Sequence, residues 1–402
     1  MKSAAVETFR RPDPAALAAP AAVDRLRLLA LGVGGAAAVA LLIGLVMQPG
    51  YFYRSYLAGW VLWAGVALGS LVLAMLHTMT RGSWGVAGRR VLEAAARTLP
   101  YVLLLAVPLA FGLQELYPWS RPEAAHDHLL QKKAAYLNPA GLGIRTLIYF
   151  ALWIFLMMTL DRLSARQDRD PDPDLIARMK RIAAPGIAFW ALAVTFAAVD
   201  WLMSLDPHWF STIYGVWLMG SQGLSAIAFL ILMSVWLWRR APMDAYLRPG
   251  HFHDWGKLMF AFTMLWAYFS FSQFLIIWSG NLPEEIGWYL RRTTGGWGGL
   301  ALIIVLFHFA LPFLMLLSRD LKRSPRFLVY IAGLMLVMRA VDLFWQVEPG
   351  FEGRHQPGFY WMYAAAPVAI GGIWLWLFLG ELKKRPLLPV NDPYLPEALA
   401  HE

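Results

Sequence analysis

Two stretches of this chain, 142 positions apart, set acids where apolar side chains otherwise run unbroken. The first is Ala198-Val199-Asp200-Trp201-Leu202-Met203-Ser204-Leu205-Asp206-Pro207. The second is Ala340-Val341-Asp342-Leu343-Phe344-Trp345-Gln346-Val347-Glu348-Pro349. Each places a carboxylate inside an apolar helix and an acid-Pro pair six residues later. A carboxylate at membrane depth costs roughly 2.5–3.5 kcal/mol on insertion scales, so such a group needs a partner or a use. It can hold a buried ion pair, hydrogen-bond a neighbouring helix, or take up and release a proton.

The residues around these acids narrow the choices. Arg339 and Asp342 are three apart and share a helix face. They form either a local ion pair or a carboxylate tuned by arginine beside a quinone cavity or proton path. Asp200 has no basic residue within a turn, and His208, just beyond the membrane edge, is the nearest histidine. Asp200 therefore either pairs across helices or is held neutral by burial. His308 stands alone on an apolar helix, four residues before Pro312, as a packing residue or a proton relay. Counting about 1.5 Å per residue from the start of each span, His308 sits ~16 Å in, near the midplane. Arg339, Asp342, Asp200 and Gln273 sit ~20, ~24, ~27 and ~27 Å in, all in the outer half. The candidate set is Asp200, Asp342, Arg339, Gln273, His308, His208, Glu348 and His77. The last ends a span on the opposite side.

The elements that position these groups follow from composition. Of 402 residues, 59% are hydrophobic and 15% charged, where a soluble domain carries about 25% charged. Twenty tryptophans suit membrane–water interfaces. With no cysteine, this chain holds no disulfide, thioether haem or Cys-ligated Fe–S cluster. Of nine histidines only His77 and His308 fall on or at the end of apolar spans, so a buried bis-His haem is not expected. There is no P-loop, dinucleotide fingerprint or His-Glu-x-x-His. The net charge of +9 reflects membrane orientation rather than nucleic-acid binding.

Ten runs are long enough to cross a bilayer: 26–47, 56–76, 98–116, 144–161, 182–204, 213–238, 255–278, 297–318, 326–346 and 362–379. The tails and alternate loops on one side hold 26 Lys and Arg, the other side only eight: Arg54, Arg121, Lys132, Lys133, Arg145, Arg291, Arg292 and Arg354. The positive-inside rule then places both termini in the cytoplasm. No cleavable signal is expected, because the first apolar run leads into Gln48-Pro49-Gly50. The loop 117–143 is expected on the membrane surface or against a partner. The stretch from Trp278 to Arg292 reads as an ordered lid or docking surface. The Pro-rich tail after Lys383 is expected to be extended. Asp200 and Asp342 lie on spans five and nine, which run the same way, so the repeat is parallel. The expected fold is all-α and polytopic: cytoplasmic tail 1–25, first helix and loop 26–55, four-helix bundles 56–212 and 213–361, last helix 362–382, cytoplasmic tail 383–402.

Three segments carry a likeness. They are Leu76-His77-Thr78-Met79-Thr80-Arg81-Gly82-Ser83-Trp84-Gly85, the run from Asp200 to Gly215, and Phe271-Ser272-Gln273-Phe274-Leu275-Ile276-Ile277-Trp278-Ser279-Gly280-Asn281-Leu282-Pro283-Glu284-Glu285. Together they resemble the F subunit of bacterial alternative complex III, an NrfD-type membrane subunit related to the polysulfide reductase anchor. The first departs from a His-His-Leu-Thr-Gly-Gly pattern at Thr78 and Arg81. The resemblance implies two four-helix bundles in a bacterial cytoplasmic membrane. It also implies membership of a complex that oxidises quinol and passes electrons to a cytochrome c or a terminal oxidase. The expected partners are a second NrfD-type subunit, an Fe–S subunit, cytochrome c subunits and the lipid bilayer, with no nucleic acid. Haems and Fe–S clusters would sit in those partners, leaving this chain a quinone or menaquinone at most. It would support quinone interaction, proton translocation or both, and no catalytic residue or metal site is assigned to it. A stand-alone secondary transporter and a purely structural anchor are the alternatives.

Overall fold

A computed structural model describes residues 12–351 and 356–400. Arg354 and the first eleven residues, part of the expected N-terminal tail, lie outside them. The described residues form helices and turns with no strand, and ten helical stretches are long and apolar enough to cross a membrane. We label α1 (Ala22–Met47), α2 (Pro49–Thr80), α3 (Ser83–Ala110, in three short pieces), α4 (Pro139–Arg169), α5 (Pro173–Trp201) and α6 (Tyr214–Trp238). Then come α7 (Pro249–Gly280), α8 (Pro283–Thr293), α9 (Gly296–Leu317), α10 (Pro325–Val347) and α11 (Met362–Leu382). All but α8 are spans.

Local sequence sets most of these boundaries. Six helices begin on proline: α2, α4, α5, α7, α8 and α10. Proline suits the first turn, where its missing N–H has no partner to lose. Asn138 and Asp172 cap α4 and α5 with their side chains. Only Gln48 separates α1 from α2, and α4 starts before Arg145. Arg54 and Arg145, expected in loops, are therefore helix-borne.

The spans pack as two rings. α2, α3, α4 and α5 contact one another in order, and α5 closes back on α2. α6, α7, α9 and α10 do the same, with α10 closing on α6. α2 packs against α6 down the middle, while α5 touches α6 and α10 touches α2. Exchanging α2 with α6 and α5 with α10 preserves this pattern. The central pair is the core: 78% of the apolar window of α2 and 89% of that of α6 are buried, against 22% for α1, α7 and α9. A Cβ on Gly69 would overlap the Gln222 backbone, so glycine permits the α2–α6 approach. α1 and α11 pack together outside ring one, with Gly34 and Gly372 so close that a Cβ on Gly34 would lie 2.8 Å from the Gly372 Cα.

The C-terminal tail is not extended, contrary to expectation. Leu387, Leu388, Leu395 and Ala398 are fully buried or nearly so. Asp392 accepts from Arg89 at 2.8 Å and pairs with Arg81. The His251 ring meets the Ala398 carbonyl at 2.8 Å. The tail folds back because Arg81 and Arg89 need a carboxylate and the leucines between the prolines need cover.

Candidate functional site

The acids of the repeat lie at the end of the bundle away from this tail. Asp200, 1% exposed, ends α5. Arg145 of α4 grips it with two nitrogens, each 2.9 Å from a carboxylate oxygen, and the Tyr149 hydroxyl donates at 2.8 Å. Of the two sequence alternatives, pairing across helices is the one present. The segment after α3 closes the site from outside. Tyr117 donates to the Trp201 carbonyl, Trp119 to that of Ser204, and Lys133 to that of Pro207. His208 is exposed there and pairs with Asp127 at 2.9 Å.

Asp342 sits at the equivalent place on α10 in a different setting. Arg339 on its own helix donates to Oδ2, and so does Trp266 Nε1 of α7 at 3.3 Å. The other oxygen, Oδ1, is buried without a hydrogen-bond partner. Asp342 also borders a cavity of about 570 Å³, within the roughly 300–1,000 Å³ of small-molecule sites. Its walls are Trp217 of α6, Trp266, Ser270, Phe271 and Phe274 of α7, Tyr289 and Thr293 of α8, Ile304, Val305 and Phe309 of α9, and Trp345 of α10. Tyr268, Phe271 and Val305 on its rim are more than half exposed on the apolar flank, so the cavity opens sideways.

Around this cavity polar atoms stand without partners. They are Trp217 Nε1, Ser270 Oγ, Tyr289 Oη and Asp342 Oδ1 on its walls, and both ring nitrogens of His308 behind them. Buried polar groups usually have partners, so this cluster points to an occupant. The fully buried His308 ring tilts against Trp266, centroids 4.2 Å apart. Its backbone belongs to a π-helical turn, Val305–Ala310. Pro312 accounts for that turn: it has no N–H to offer the His308 carbonyl four residues back, and its ring crowds that oxygen. The ladder takes the wider register, which recurs at functional sites.

The remaining sequence candidates divide. Glu348 is buried and takes Arg54 of α2 at 3.3 Å and the Tyr363 hydroxyl at 2.8 Å. Its counterpart Asp206 pairs with Arg291 of α8. Each acid-Pro carboxylate is thus held by an arginine of the opposite half. Gln273 accepts from Ser211 at 2.6 Å, while its amide nitrogen is unpartnered. His77 is buried at the far end against Trp84, with Nε2 3.3 Å from the Gly82 carbonyl. It joins none of the other candidates.

A polar chain centres on Gln346, one turn after Asp342 on α10. Tyr214 donates to the Gln346 side chain at 3.1 Å, and Arg292 of α8 donates to the Gln346 carbonyl at 2.6 Å. The expected lid is helix α8, with Trp288, Tyr289 and Arg292 turned inward. Arg292 is 2% exposed. Burial lowers its pKa to about 9, and burial also pushes the Tyr289 phenol above its usual range.

Sequence reasoning missed Arg145 and Tyr149 as partners of Asp200, and Trp266, Ser270 and Tyr289 as cavity walls. Asn138-Pro139 was the available signal that Arg145 belongs to a helix. No sequence signal marks the cavity, since its walls come from five helices. Among the described residues no group of three or more His, Cys, Asp or Glu is placed to hold a metal ion. No family model matches the chain, and no curated protein matches it.

Proposed function

We propose that this chain is a membrane subunit, itself carrying no redox centre, of a complex that oxidises quinol, and that the cavity beside Asp342 receives the quinol ring. The cavity carries this reading: it has a sideways opening, apolar walls and wall residues whose buried polar atoms lack partners. An isoprenoid quinol combines a flat ring, two hydroxyls and an apolar tail. The tail would leave between Tyr268, Phe271 and Val305, and the ring would stack among Trp266, Phe274 and Tyr289. Asp342 Oδ1 has a lone pair to accept a hydroxyl proton, and Tyr289 and Trp217 have donors for the ring oxygens. A hydrogen bond to a charged group contributes about 1.5–3 kcal/mol, roughly ten- to 150-fold in affinity.

Proton release fits the same geometry. A proton taken by Asp342 has Gln346, Tyr214 and the buried face of α8 ahead of it. Electrons would pass to haem or Fe–S groups in companion chains, as the resemblance implies. Asp200, closed by Arg145 and Tyr149, is assigned no proton in this scheme.

A photoreactive quinone analogue should label α7, α8 or α10 in the intact assembly, and excess quinone should suppress the labelling. Tyr289→Phe should weaken that labelling while the chain still assembles. Labelling that ignores competitor quinone, or falls only outside these helices, would sink the cavity assignment. Isolation as an active homo-oligomer without haem- or Fe–S-bearing partners would sink the assignment to a complex.

A further inference from the structure

The tail end of the bundle is rich in arginine. Several arginines at this end are matched by acids: Arg89 and Arg90 by Glu93, Arg97 by Asp161, and Arg385 of the tail by Asp161. In ring two, Arg239 after α6 and Arg326 at the start of α10 have no side-chain partner among the described residues. They line one open groove of about 560 Å³ with Trp238 and Asp244. Asp244 likewise has no side-chain partner there. Neighbouring Arg240 is turned away, over the Trp236 ring at 4.0 Å.

The groove sits where a membrane surface would lie. Arg326 opens α10, and one turn further into the apolar zone Tyr330 stands 75% exposed, with Phe327 61% exposed beside it. Two unpaired guanidiniums suit one phosphate, which arginine binds through paired N–H groups. A single carboxylate beside them suits one ammonium. Basic pockets between membrane helices on the positively charged side are places where lipid headgroups bind.

We propose that this groove seats the headgroup of a phosphoethanolamine lipid. The phosphate lies between Arg239 and Arg326, the primary ammonium faces Asp244, and the acyl chains run along Phe327 and Tyr330. A phosphoglycerol headgroup would leave Asp244 without a cation. A phosphocholine headgroup has no N–H to give it.

The test uses the full chain, with whatever subunits copurify, in nanodiscs of mixed phosphatidylethanolamine, phosphatidylglycerol and phosphatidylcholine. After detergent extraction the retained lipids are counted by mass spectrometry. Wild type should retain the ethanolamine lipid over the choline lipid by roughly tenfold, the worth of one charge-assisted hydrogen bond. The double change Arg239→Gln with Arg326→Gln should abolish selective retention. Asp244→Asn should raise the glycerol lipid to parity with the ethanolamine lipid. Arg323→Gln, at the same end but outside the groove, should change nothing. Equal retention of all three lipids by wild type, a wild-type preference for the glycerol lipid, or unaltered retention by the double variant each overturns the proposal.

Discussion

Asp200 and Asp342 occupy matching places in a repeat and end in opposite states. Asp200 receives three hydrogen bonds from two side chains on α4, which leaves neither oxygen open. Asp342 receives its donors on one oxygen, while the other is buried without a partner in a residue that borders a cavity. The helix that decides this is the third of each ring. α4 brings Arg145 and Tyr149 to Asp200. α9, in the corresponding place, brings no cation, only His308 on a widened turn. Conserving an acid in a repeat is thus separable from keeping its environment, and one half can serve as scaffold while the other keeps a cavity.

The largest effect should come from breaking the closed site. Arg145→Met leaves the Asp200 carboxylate buried without its cation, and losing one partner of a buried pair costs about 3–5 kcal/mol. Thermal unfolding in detergent should show a strongly lowered midpoint. A shift no larger than that of an exposed substitution such as Leu147→Ala would mean that Asp200 is not held in this way.

Tyr289→Phe should separate stability from function. The Tyr289 hydroxyl has no partner among the described residues, so its removal is nearly neutral for stability: quinol turnover and quinone labelling should fall by about three- to tenfold while unfolding moves far less than for Arg145→Met. An equal loss of stability in the two variants would erase the distinction between the halves.

His308→Phe sharpens the contrast. The ring nitrogens have no partners, and replacing an unsatisfied buried polar group with an apolar one of similar shape is nearly neutral or stabilising. Unfolding should move by less than about 1 kcal/mol. Tyr149→Phe, which strips one donor from the buried carboxylate, should cost roughly 1.5–3 kcal/mol. If the order of these two is reversed, His308 holds a partner in the native assembly.

The smallest effect concerns pH at the rim of the closed site. The backbone N–H groups of Leu130 and Leu129, with His208 beside them, hold the Asp127 carboxyl below its ordinary 3.8. A depressed acid stabilises the fold above its unfolded pKa and loses that contribution as pH falls through the folded one. Amide exchange at Leu129 and Leu130 should therefore speed up, after correction for intrinsic rates, only below about pH 4. Acceleration beginning well above about pH 4 would mean that the Asp127 carboxyl does not control this cap.

Much of the fold was legible in the chain. Ten apolar runs gave ten spans, because a helix in lipid satisfies its own backbone and hydropathy marks it directly. Asp200 and Asp342 stood out because acids at depth are rare. Arg54 and Arg145 fall outside the apolar runs because hydropathy drops where a helix carries a charge, although the helix continues through them. Proline and Asn-Pro starts carried the correct boundaries. The folded tail was missed because its burial depends on Arg81, Arg89 and His251, which are remote in sequence.

The sequence by itself determined an all-helical chain with ten membrane-length stretches, an Arg339–Asp342 pair on one helix face, and a proline that His308 must accommodate. These are local consequences of side-chain type and a 3.6-residue repeat. Only the tertiary structure decided that both oxygens of Asp200 are held and that Asp342 borders a cavity with one oxygen unpartnered. A cavity is the space left between helices distant in the chain, and the pairing of a buried charge depends on which neighbour the packing delivers.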